Sequence, residues 1–162
     1  MLALALSALS GARGRHDAVR TNADPMTAFA PISEAIYWAV VLDEQLRAWN
    51  GYEVALSELP GRPLLSGLRY VRNLLTHQLP LTLTQRDGRS YPRVYPLVFR
   101  EVVWLASSEL PAPEKTHKHT AQQRQAYDDY LASRPVRHTL TDLSALLATL
   151  QAYPGSPMGS AT

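Results

Sequence analysis

The chain has no cysteine, which excludes a disulfide framework, a thiolate zinc site and a cysteine nucleophile before any motif is sought. Stability has to come from packing. A strong charge of one sign is also missing: 16 Lys plus Arg stand against 14 Asp plus Glu, a net charge of +2, far from the field that by itself marks a nucleic-acid binder. No apolar run reaches the roughly 20 residues that cross a bilayer, so the sequence reads as a soluble, cytoplasmic chain without a membrane partner. Neither a Gly-x-Ser-x-Gly elbow nor a glycine-rich phosphate loop occurs, and no internal repeat is found. Those gaps leave serine-hydrolase and P-loop readings without support.

What is present is enough for one core. The 162 residues, 46% of them hydrophobic, suit a single compact domain. Arg far outnumbers Lys, and Arg is the side chain whose planar fork matches a phosphate, although a GC-rich coding sequence gives the same skew. Residues 1–26 combine an Ala/Leu run with Gly11, Gly14 and a polar stretch ending at Asp24-Pro25. They read as a flexible extension that docks weakly. Met1 to Ser10 has the look of a short signal h-region, but no positive segment precedes it.

An ordered domain is expected over residues 27–153. Ile32, Ala35, Ile36, Ala39, Leu42, Leu46 and Trp49 recur at spacings of three and four, which predicts a helix from Pro31, in its first turn, to a stop at Gly51. Leu64, Leu68, Val71 and Leu75 predict a second, from about Pro63 to Leu79, ended by Pro80. Leu81 to Thr84, Asp87-Gly88 and Tyr91 to Tyr95 predict a hairpin turning at the Asp-Gly pair, with Pro92 and Pro96 confining it to sheet edges. Val98 to Leu105 reads as a strand. After the linker at 110–113, a polar helix is expected over about 121–132, showing Tyr127, Tyr130 and Leu131 to the core. A last helix carries Leu143, Leu146, Leu147 and Leu150, with Thr139 as its cap. Residues 154–162 read as a loose tail. The expected fold is thus mainly α, with a small antiparallel insertion at about 81–105 and two C-terminal helices.

The second helix carries the chemistry. Residues spaced about 100° apart put Leu64, Leu68, Val71 and Leu75 on one face, Tyr70, Asn73 and His77 opposite, and Arg72 at the boundary. Such groups suit cleavage of RNA by its own 2′-hydroxyl, which needs an acid, a base and positive charge on a phosphate, with no metal. His titrates in the right range, and Arg can hold two phosphate oxygens. One helix offers one His, so a symmetric dimer apposing two copies would supply acid and base.

Arg72-Asn73 followed by His77 resembles the R-x4-H signature of HEPN domains. The resemblance covers roughly residues 27–80. It implies a HEPN-like helical bundle that dimerises through the motif-bearing helices, and an endoribonuclease of the toxin-antitoxin or phage-defence kind. By it Arg72 would hold the scissile phosphate, His77 would be acid or base and Asn73 would orient them, with Arg69 and Tyr70 in support and an acidic residue from the preceding helix, Asp43 or Glu44. No cofactor or metal is implied. An antitoxin or nucleotidyltransferase partner is, but family toxins silenced by adenylylation carry Tyr two residues after the His, where this chain has Leu79. The segment Tyr130 to Val136 also resembles one in actinobacterial HEPN-like proteins of unknown function. The rival expectation is a catalytically silent dimerisation or nucleotide-binding module. His117, Lys118 and His119 read as a solvated run, Asp128 and Asp129 as helix surface, and Trp38, Trp49 and Trp104 as core or interface anchors.

Overall fold

A computed structural model describes residues 1–19, 24–59, 61–78, 82–91, 97–113 and 120–159. Among them are six helices and one two-stranded antiparallel sheet: α1 (Leu2–Val19), α2 (Pro25–Leu46), α3 (Tyr52–Ser57), α4 (Arg62–Gln78), β1 (Leu83–Tyr91), β2 (Leu97–Trp104), α5 (Ala121–Tyr130) and α6 (Val136–Ala152), with a 3₁₀ turn at Ser107–Glu109. The fold is mainly α with a small β insertion.

The first 19 residues correct the expectation of a weakly docked extension. Ala5, Leu9, Ala12 and His16 recur at spacings of four, three and four and are buried, because small residues let α1 lie close along α2. The Arg13 guanidinium bonds Ser144 Oγ of α6, and Arg15 pairs with Glu34 of α2. The second helix also begins earlier than Pro31. Asp24 Oδ1 accepts from the backbone N–H of Met26 (2.8 Å) and Thr27 (3.0 Å), so the stop-like Asp24-Pro25 is a cap followed by a first-turn proline. Thr27 and the backbone hold the Asp24 carboxyl below the usual carboxylate range. Pro31 lies inside α2. At 22 residues α2 is long and apolar enough to cross a bilayer by length and composition, contrary to the reading of the bare sequence. Its Ile32, Ile36, Val40, Leu42 and Leu46 are buried in the core.

Gly51 does not simply end that helix. It is the residue before a short α3 that periodicity had not marked, and a Cβ there would come within 2.7 Å of the Trp49 ring. Nor is Asp87-Gly88 the hairpin turn. The strand runs on to Tyr91, pairing Asp87 with Arg100 and Ser90 with Val98, so β1 carries one extra residue between these pairs. The Asp-Gly pair makes a bulge in place of a turn. Residues 92–96, with Pro92, Pro96 and Tyr95, lie outside the described residues, as do Leu79, Pro80, Leu81 and the His117–His119 run. The strand expected from Val98 is β2.

Thr120 and Gln123 cap α5 reciprocally, both bonds at 3.1 Å. Ala126, Tyr127 and Leu131 are buried, and Tyr130 is half-buried. Thr139 is not the cap of the last helix, which starts at Val136. It is buried, and its Oγ1 accepts from Trp104 Nε1 at 2.9 Å, tying β2 to α6. Leu143, Leu146, Leu147 and Leu150 are buried as the stripe predicted. Trp104 is a core residue, while Trp38 and Trp49 pack against the core from its edge. The expected loose tail turns back through Gly155, at φ 75°, and buries Met158.

The contact of α4 with α5 is unusually close. A Cβ on Gly67 would meet Leu131 Cδ1 at 2.8 Å and the Ala126 carbonyl oxygen at 3.1 Å. Gly67→Ala is therefore expected to destabilise the fold by about 1–3 kcal/mol, despite alanine's better helix propensity. Thermal melting that shows an unchanged or more stable variant would mean that the two helices separate freely.

Candidate functional site

Around α4, Leu64, Leu68, Val71, Leu74 and Leu75 are buried, while Arg69, Arg72, Asn73 and His77 are half-buried. Tyr70 departs from the expected polar face. It is buried, its ring centroid 5.5 Å from that of Tyr127, because α5 covers the side of α4 that a lone helical wheel leaves open. Burial pushes the Tyr70 and Tyr127 hydroxyls above their usual range. Tyr70 thus packs two helices together.

The two acidic candidates are separated by geometry. Asp43 is buried: its Oδ1 accepts from Tyr52 Oη (2.6 Å), its Oδ2 from Arg69 Nε (2.8 Å) and again from the Arg69 terminal nitrogen, and Arg47 Nε stands 3.7 Å away. Burial, and next the bond to this carboxylate, push the Tyr52 hydroxyl far above its usual range. Both carboxylate oxygens are occupied inside the monomer. Glu44 is exposed and reaches Arg72, with 2.5 Å between Oε1 and the guanidinium. Arg69 therefore belongs to the interior network, and Glu44 is the acid beside Arg72.

Arg72 is 28% exposed, and its Nε is shielded with no acceptor among the described residues. An N–H in that position costs free energy unless something bonds it. His77 lies in the last turn of α4, five residues on, which is about 7.5 Å along the axis and about 140° around it. Asn73, one turn before His77, lies between. The Thr76 hydroxyl bonds the Arg72 carbonyl (2.8 Å), and Gln78 Nε2 bonds the Ala112 carbonyl (2.8 Å), fixing the end of α4 to the linker. One chain thus presents Arg72 and His77 on the two flanks of a polar edge, with Asn73 at its centre.

No family model, curated protein or solved structure matches the chain. The resemblance to HEPN domains therefore rests on Arg72, Asn73, His77 and their helical setting alone. Among the described residues no three His, Asp or Glu side chains gather as ligands for a metal. Sequence reasoning missed Tyr52 and Arg47. The available signal was Asp43 itself, which falls on the apolar stripe between Ala39 and Leu46, where a carboxylate needs partners.

Proposed function

We propose that the chain is a metal-independent endoribonuclease of the HEPN type, acting as a homodimer. The observation that carries this reading is the half-buried Arg72, whose Nε lacks an acceptor among the described residues and whose guanidinium pairs with an exposed carboxylate, at the flank of the polar edge that carries Asn73 and His77. An exposed ion pair is worth little, so a phosphate can displace Glu44 and take the guanidinium fork. The 2′-oxygen attacks phosphorus as one His77 removes its proton, the second copy protonates the departing 5′-oxygen, and Arg72 steadies the charge on the phosphate. Products are a 2′,3′-cyclic phosphate and a 5′-hydroxyl. A toxin or defence role, with an antitoxin or nucleotidyltransferase partner, follows from the same resemblance.

A silent dimerisation module is the second reading. It is favoured by the pairing already present, Arg72 with Glu44 and Arg69 with Asp43. Purified protein incubated with RNA in EDTA separates the two. The nuclease cuts the RNA; intact RNA beside a stable dimer in sedimentation supports the module.

A further inference from the structure

Arg62, Ser66, Arg69, Asn73 and His77 follow one another along α4 at spacings of four, three, four and four, so they form one stripe. From Arg69 to His77 is about 12 Å at 1.5 Å per residue. The Arg62–Arg69 part of this stripe walls a cleft of about 480 Å³ that is closed by α3 on one side and α5 on the other. That size is in the range of small-molecule sites.

The two walls of the cleft differ in chemistry. On the wall opposite α5 stand Arg47 and Arg62. Arg47 comes only within 3.7 Å of Asp43, whose oxygens already serve Tyr52 and Arg69, and it makes no closer bond among the described residues. Arg62 pairs with Glu53 at 3.2 Å, both side chains more than half exposed, a contact that yields readily to a stronger anion. On the facing wall α5 presents the Gln122 and Gln125 amides, each a donor and an acceptor, and the half-buried Tyr130. Asp129, bonded by Gln125 Nε2 at 2.9 Å, keeps that wall from being an anion site. A nucleotide, anionic at one end and planar with hydrogen-bonding edges at the other, meets both walls.

We propose that this cleft holds the nucleotide next to the scissile phosphate, with its own phosphate on Arg47 and Arg62 and its base against Gln122, Gln125 and Tyr130, and so sets the base preference of cleavage. The inference rests on the endoribonuclease reading for the strand itself, and it is tested on the full chain with short, fluorescent 2′-O-methyl RNA homopolymers of each base, which bind without being cut. Arg47→Ala with Arg62→Ala is expected to weaken binding roughly ten-fold or more and to lower the salt slope by about one phosphate contact. Gln122→Ala with Gln125→Ala should keep the slope and flatten the preference among the four bases. All four side chains lie outside the core, and circular dichroism melts check that the fold is kept; the single variants serve if a double variant melts early. Unchanged binding in both double variants overturns the proposal, as does inorganic phosphate competing as well as AMP. The two readings fail separately: binding lost in these variants without any cleavage by the parent protein sinks only the nuclease, and His77-dependent cleavage with unchanged binding sinks only the cleft.

Discussion

His77→Ala is expected to lower RNA cleavage by about a hundred- to ten-thousand-fold, the range lost when a general acid or base is removed, while the dimer persists and stability changes by about 1 kcal/mol or less. The leucine stripe of α4 is what holds the helix in the core, and His77 is off it, half-buried in the last turn. A variant that unfolds would instead give His77 a structural job. Arg72→Lys should be severe for a different reason. The ammonium keeps the charge and loses the fork that holds two phosphate oxygens, so cleavage near the parent rate would leave Arg72 as no more than the partner of Glu44. Mixing Arg72→Ala chains with His77→Ala chains then reports how two copies share the work: restored cleavage means that each chain lends one group, and a dead mixture means that both groups are needed from both chains.

The largest loss of stability is expected from Asp43→Ala, about 3–5 kcal/mol. Removing the carboxylate leaves the Tyr52 hydroxyl and the Arg69 guanidinium without the acceptor that both now use. Asp43 is 2% exposed, so water replaces it poorly. Asp43→Leu with Arg69→Met is expected to lose much less, because no charge is then buried unpaired. Denaturant unfolding measures both. A loss below about 1 kcal/mol for Asp43→Ala would mean that the network adds nothing to stability. The same variants assign the acidic residue of the site: cleavage by folded Asp43→Ala protein should persist, whereas Glu44→Gln should alter RNA affinity by freeing Arg72.

The apolar spacing of Ile32 to Leu46, Leu64 to Leu75 and Leu143 to Leu150 made three core helices legible in the sequence, since burial of one helix face dictates that period. β2 was legible from Val102, Val103 and Trp104. Boundaries were less so where one residue type serves two ends: Asp24-Pro25 opens a helix as well as it closes a stretch, and Asp87-Gly88 makes a bulge as well as a turn. The stripe of α1 was in the sequence but was hidden, because Ala and Leu occur all round its first turns and give the buried Ala5 and Leu9 no contrast with the exposed Leu4. At the site, the face bearing Asn73 and His77 was legible from the helical wheel. The fate of Tyr70 was not, because it depends on where α5 packs, and a wheel drawn for one helix carries no information about a second.

Cleavage of one RNA strand in EDTA, compared with the same strand fully 2′-O-methylated, tests the central claim most directly. The account predicts that the ribose strand is cut to fragments ending in 2′,3′-cyclic phosphate and beginning with 5′-hydroxyl, that the methylated strand stays whole, and that His77→Ala protein cuts neither. Fragments carrying 5′-phosphate, cutting of the methylated strand, or undiminished cutting by His77→Ala protein would contradict it.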